Sequence, residues 1–315
     1  MVDPVFSIVI PNWNGASFLH RCVNATVLSA QAAEMPYEVI IVDDASSDNA
    51  IDGVAASFPE IRILRNERNV GFAASVNRGI SQARSPLVVL FNNDLSPSPP
   101  MIRELIAPML AEDDVFAVSG KTVDWYTGAP NHVSMLARIE DGQLRLAYED
   151  PGQRSETMFF QGGSCAVRRQ PFLDFGGFAA VFHPGYWEDY DLSYLALKAG
   201  WRIIYNPLAS AMHVGQGSMR RAYGEATLVR VKARNALLFQ WINFSDPPLV
   251  RAICRRLPTR IASDFAHARH NEWRGAVDAL RYLAQIIKLR EDRRLKWKLS
   301  DADIFAKFAG RGTLC

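Results

Sequence analysis

The stretch Tyr186-Trp187-Glu188-Asp189-Tyr190-Asp191-Leu192-Ser193 puts three carboxylates within four positions, flanked by aromatic side chains. A carboxylate held ionised at a cleft can take a proton from a reacting hydroxyl, which is general-base chemistry. Leu192, Leu195, Ala196 and Ala199 follow at helical spacing and Gly200 ends the pattern, which predicts a helix carrying the acids in its first turn. The helix dipole favours negative charge there. The same acids also suit plain helix capping, and the stretch by itself leaves both roles open.

Such a helix needs a frame. Residues 6–11, 38–42, 61–64 and 87–91 read as short apolar strands separated by helical patterns, the first formed by Phe18, Leu19, Cys22, Val23, Thr26 and Val27. Near-continuous apolar strands alternating with helices predict a parallel sheet covered on both faces. Ligands of such sheets bind beyond the carboxyl ends of the strands. Three strands end there in polar clusters: Asn12 to Asn14, Asp43 to Asp48, and Asn92 to Asp94. One cluster would be a solvated loop; three converging on one edge predict a site. Further strands are expected at 115–120 and 201–205, and residues 209–213 lead to His213. Residues 122–156 hold the turn signals Thr127-Gly128 and Asp141-Gly142, as in a hairpin or an excursion from the domain. Gly162-Gly163-Ser164 lets the backbone approach a ligand closely.

From about residue 222 the pattern turns helical, basic and aromatic, with 13 Lys or Arg against five Asp or Glu between Arg251 and Lys298. Leu280, Leu283, Ile286 and Ile287 mark an amphipathic helix, expected to pack on its own domain. A basic helical tail also suits an anionic membrane surface. The expected division is a domain over 1–221 and a helical extension over 222–315.

The composition is that of a globular protein, 49% hydrophobic and 22% charged, and a net charge of +2 does not indicate a nucleic-acid binder. No run of about 18 apolar residues predicts a membrane span. Met1-Val2-Asp3-Pro4 leads straight into a strand pattern, so no signal peptide is expected. Cys22, Cys165, Cys254 and Cys315 have no metal-ligand or redox spacing, which suggests reduced thiols in a cytoplasmic protein.

An ordered set of motifs resembles the family 2 glycosyltransferases, which have the GT-A fold, an α/β architecture. The set comprises Ser7-Ile8-Val9-Ile10-Pro11-Asn12-Trp13-Asn14-Gly15, Val42-Asp43-Asp44-Ala45-Ser46-Ser47-Asp48, Asn69-Val70-Gly71-Phe72 with Asn77-Arg78-Gly79, and Leu90-Phe91-Asn92-Asn93-Asp94. The acidic helix and His213 complete it, and Arg234-Asn235 to Trp241-Ile242-Asn243 is similar to a tail segment of such enzymes. Within the family the chain looks most like bacterial enzymes building O-antigen or other surface polysaccharide, many of them rhamnosyltransferases.

The resemblance implies transfer of a sugar, with inversion, from a nucleotide-sugar donor (dTDP-rhamnose or a UDP-sugar) to a hydroxyl of a saccharide or lipid-linked acceptor. It implies Asp189 as base and Glu188 as a group orienting the acceptor or the helix. Asp191, about 200° further around the helix, is expected to point away and bond locally. A divalent metal, Mg²⁺ or Mn²⁺, would be held by Asp94, with His213 as second ligand or phosphate donor. Asn92 stands where the family's metal motif usually has its first acid. Asp43 would accept from the imino N–H of a uracil or thymine base, and Asp44 would do the same or contact ribose. Pro11 and Trp13 would wall the base, Asn77 and Arg78 the far side, with Asn14 and Asn93 at the same strand ends. Trp187 would stack on a sugar ring or pack in the core. Peripheral contact with the inner face of a membrane and a homodimer are further expectations.

A catalytically inactive nucleotide-sugar-binding or scaffold protein of the same fold is the alternative, supported by Asn92 alone. A sugar-phosphate nucleotidyltransferase would want a basic, Gly-rich first loop, whereas no Lys or Arg precedes Arg21. A processive synthase would want membrane-spanning segments.

Overall fold

The computed structural model describes residues 3–140, 143–215 and 217–314. The first part of the chain runs β1 (Phe6–Asn12), α1 (Leu19–Ala32), β2 (Tyr37–Asp43), α2 (Ala50–Ser57), β3 (Arg62–Arg65), α3 (Phe72–Gln82), β4 (Leu87–Phe91), β5 (Leu95–Pro97) and α4 (Met101–Ala111). The middle runs β6 (Val115–Asp124), β7 (Pro130–His132), β8 (Ser134–Glu140), β9 (Gln143–Glu149), β10 (Ser155–Glu156), β11 (Ser164–Arg168), α5 (Arg169–Asp174), α6 (Glu188–Lys198) and β12 (Arg202–His213). The extension holds α7 (Gly217–Tyr223), α8 (Glu225–Asn243), α9 (Pro247–Ala266), α10 (His270–Ala279), α11 (Leu283–Arg294), α12 (Asp301–Lys307) and β13 (Thr313–Leu314).

The main sheet has the order β10-β12-β6-β11-β4-β1-β2-β3. Its strands read as apolar runs because both faces are covered. Val9, Ile40, Val42 and Leu90 face α3 through Val76 and Ile80. Ile8, Ile10, Ile41 and Val89 face α1 and α4 through Leu19, Cys22 and Leu105. The parallel sheet expected from the sequence holds for β3, β2, β1 and β4. It fails at β11, which runs antiparallel between β4 and β6. Residues 201–205 and 209–213, read as separate segments, belong to one strand, β12, whose pairing with β6 is broken by an irregularity between Asn206 and Ser210. Within 122–156, expected as a hairpin or an excursion, β8 and β9 form a hairpin, and β13 joins it to make a small second sheet. The Asp141-Gly142 turn signal lies outside the described residues.

The helical extension grips α6. Asp191 does point away from the first-turn acids, but it does not bond locally. Arg293 of α11 meets it with two nitrogens at 2.6 and 2.7 Å, and Asn243 of α8 donates to it at 2.7 Å. Lys198, at the other end of α6, pairs with Asp301 of α12 at 2.8 Å. Both pairs are almost fully buried. The apolar stripe of α11 and the turn before it divides. Ile286 is buried, whereas Leu280, Leu283 and Ile287 are 44%, 48% and 58% exposed, so the expected packing on the domain covers only one edge of it. Among the described residues, no helix is long and apolar enough to cross a membrane. Cys22 and Cys165 are buried and free, Cys254 is exposed and free, and Cys315 lies outside the described residues.

Candidate active site

A cavity of about 600 Å³ opens at the carboxyl ends of the strands, where β1, β4 and β12 finish and α6 begins. Pro11, Trp13, Asp44, Asn93, Asp94, Trp187, Glu188, Asp189 and His213 of the expected set line it.

Asn14, Asp43, Asn77 and Arg78 are not among its lining residues, and each has another engagement. Asn14 accepts from Ser47 N at 2.8 Å, closing the turn opposite β2. Asp43 is buried and accepts from Asn12 Nδ2 at 3.0 Å. Asn77 binds the backbone of Phe178 in both directions, at 2.9 Å each. Arg78 donates to Arg65 O at 2.8 Å and to Asn66 Oδ1. Asp44 reaches the cavity, but its oxygens already accept from Val70 N and Gly71 N at 2.9 and 2.8 Å and from Asn66 Nδ2 at 2.7 Å. It anchors the loop before α3. Gly71 has φ +86°, which favours glycine in that loop.

At the β4 edge, Asn93 Nδ2 donates to Asn12 Oδ1 at 2.8 Å, tying the ends of two strands together. Asn92 packs on Gly163, where a Cβ would fall 2.3 Å from its side chain, so the expected close approach of the glycine run is made to Asn92. Asp94 Oδ1 lies 3.0 Å from His213 Nε2, and Asp94 Oδ2 accepts from Gly215 N at 3.1 Å. A carboxylate oxygen and an imidazole nitrogen are donors that a divalent cation accepts, and here the two are hydrogen-bonded to each other. Among the described residues, no cluster of three or more His, Cys, Asp or Glu side chains could hold a metal ion. A cation here would draw its other ligands from substrate oxygens and water.

Asp189, which lines the same cavity, sits in the first turn of α6. Its Oδ2 accepts from Gly162 N at 3.1 Å and its Oδ1 from Tyr190 N at 2.9 Å, fixing the carboxylate by two backbone donors. Burial pushes its pKa up to about 6 despite those donors. Glu188 is 6% exposed and its Oε2 has no hydrogen-bond partner. Burial, and then the charges of Asp189 and Asp191, push its pKa up to about 8. The charge of one carboxyl raises the cost of ionising the other, so the pair gives up its protons in two separate steps. Trp187 lines the cavity and also packs on Tyr190 and Phe239, with ring centroids 4.9 and 5.2 Å away.

Sequence reasoning missed part of the lining. His132, Met135, Leu146 and Tyr148 come from β7, β8 and β9, and Lys232 comes from α8. The turn signals within 122–156 pointed to a hairpin, but nothing local marked it as a wall of the cavity, and nothing local marks Lys232.

This sheet, with its ligand cavity at the strand ends and a helical extension, has the GT-A architecture. A mannosyltransferase from Pyrobaculum calidifontis, solved with GDP-Man and Mn²⁺, superposes over 94% of this chain and 87% of its own, with a TM-score of 0.56 and 18% identity. Residues 7–176 match the model of glycosyl transferase family 2. The chain belongs to the family 2 glycosyltransferases. It is 27% identical over 222 residues to a pre-mycofactocin glycosyltransferase of Mycobacterium tuberculosis, covering 68% of this chain but only 43% of that protein. It is 27% identical over 239 residues to the same organism's N-acetylglucosaminyl-diphospho-decaprenol L-rhamnosyltransferase, covering 66% of this chain and 76% of the relative.

Proposed function

We propose that the protein transfers a sugar from a nucleotide-sugar donor to a hydroxyl of a saccharide or lipid-linked acceptor, with inversion at the sugar. The donor is dTDP-rhamnose or a UDP-sugar, and the product belongs to a surface polysaccharide. The observation that carries this reading is that two groups line one cavity: Asp94 with His213, and Asp189, held by two backbone N–H groups. The likeness to the rhamnosyltransferase supports the donor class.

Asp94 and His213 would hold Mg²⁺ or Mn²⁺, which would offset the negative charge gathering on the departing diphosphate. Asp189 takes the proton of the acceptor hydroxyl as that oxygen attacks the anomeric carbon from the face opposite the diphosphate. Glu188 orients the acceptor or the helix. Trp13 and Pro11 wall the base, and Asn93 holds that wall through Asn12. Asn14, Asp43, Asn77 and Arg78 support the nucleotide side from behind the cavity. Work takes place in the cytoplasm at the inner face of the membrane, where exposed Leu280, Leu283 and Ile287 beside Arg281 and Lys288 suit peripheral contact with anionic lipid.

The test is nucleotide release from a panel of dTDP-, UDP- and GDP-sugars, with Mg²⁺ or Mn²⁺ present or chelated. Slow hydrolysis of one donor is expected, lost on chelation. Asp94→Ala should remove most of it and should weaken Mn²⁺-dependent nucleotide binding by about tenfold or more, by analogy with ligand-shell losses at metal sites. Binding of a donor with no turnover, even with lipid-linked acceptors supplied, would favour the inactive binding protein instead.

The acid limb of the pH profile follows from Asp189. As a proton acceptor it must be ionised, so kcat should be at its plateau above about pH 7 and fall on acidification through about 6. A kcat that stays flat from about pH 8 to about pH 5 would remove Asp189 from the role.

A further inference from the structure

Tyr186 and Trp187, the two residues directly before the first-turn acids, have φ of +71° and +78°. Side chains with a Cβ rarely adopt this left-handed conformation, and two in succession persist only where the surroundings hold them. Trp187 is also the N-cap position of α6, so the direction in which Glu188 and Asp189 leave the sheet depends on this turn.

The hold comes from outside the catalytic domain. Asn235 of α8 is fully buried, and its Nδ2 lies 2.9 Å from Phe182 O, 3.0 Å from Gly185 O and 2.9 Å from Tyr186 O. One amide nitrogen thus gathers three carbonyls of the turn, with its two hydrogens shared among them. Its orientation is fixed in turn, because Oδ1 accepts from Arg234 Nε at 2.8 Å. Arg234 also donates to His183 O, and Lys232 Nζ stands 4.5 Å from the centroid of the Tyr186 ring. Asn235 itself is not among the residues lining the cavity.

We propose that Asn235 is a positioning residue: it sets the aim of the Asp189 carboxylate by locking the 182–187 turn, without touching substrate. The proposal rests on Asp189 being the base. An error of about 1 Å in a reacting group costs on the order of 10²-fold, and a loosened turn would introduce errors of that size. Asn235→Ala should therefore lower kcat by about 10- to 100-fold while leaving donor-nucleotide affinity, assigned here to the ends of β1 and β4, within about twofold.

The deciding measurement is a double-mutant cycle with Asp189→Asn, read as kcat and as nucleotide Kd. If Asn235 acts through Asp189, Asn235→Ala adds less than about twofold in the Asp189→Asn background. A full, multiplicative loss in that background, or an equal loss of nucleotide binding, overturns the proposal. Asn235→Ser keeps one donor and should fall between wild type and Asn235→Ala; it serves in the cycle should the alanine variant not fold. If Asp189→Asn alone keeps wild-type kcat, it is the assignment of the base that has failed, whereas a slow Asp189→Asn with a fast Asn235→Ala refutes the positioning role alone.

Discussion

Asp189→Asn is expected to lower kcat by about 10²- to 10⁴-fold, the range supplied by a positioned general base. The amide has the shape of the carboxylate but cannot take a proton. Its oxygen can still accept from one of the two backbone donors, Gly162 N and Tyr190 N, so the fold should stay intact. Circular dichroism and nucleotide affinity should match wild type while the chemical step slows. The acid limb near 6 should vanish from the residual activity, since the group that titrates there is gone. Loss of nucleotide binding in step with kcat would point to a structural lesion instead.

Arg293→Ala should be among the most destabilising single substitutions in the chain. It strips the counter-charge from Asp191, a carboxylate with no exposed surface, and breaking a buried pair from one side costs about 3–5 kcal/mol. Asn243 Nδ2 would be left as a donor to the orphaned acid, which is not enough to neutralise it. Because the pair bolts α11 onto α6, the loss should also reach activity. The double variant Asp191→Leu with Arg293→Met should recover most of the stability, since removing both charges removes the penalty. Thermal or denaturant melts of the three variants decide it. A single variant within about 1 kcal/mol of wild type would mean that water or another cation reaches Asp191.

The two variants differ in how far the sequence foretold them. Strand ends, glycine turns and the acidic first turn are local patterns. Each is written in a run of neighbouring residues, so β1 to β4, α6 and the cluster of Asp94, Glu188, Asp189 and His213 were readable. The reversal of β11 was not, because an apolar run has the same pattern in either direction. Asp43 read as a ligand group by its place after a strand; in the fold it is buried and accepts from Asn12, on the neighbouring strand, through Oδ1. Asp191 read as locally bonded because its partners lie 52 and 102 positions away. Asn235 and Lys232 carry no local sign of their task. The stripe Leu280, Leu283 and Ile287 shows the opposite failure: the periodicity predicts a buried face, but Ile286 alone takes the inward place.

The measurement that bears most directly on the central claim is calorimetric titration of the wild-type protein with dTDP-, UDP- and GDP-sugars in the presence of Mn²⁺. The cavity between Asp94 and Asp189 should bind one nucleotide class at one site per chain. That binding should weaken on chelation and in Asp94→Ala, yet remain unchanged in Asp189→Asn. No heat from any donor, or binding indifferent to both the cation and Asp94, would contradict the nucleotide-sugar reading of this cavity.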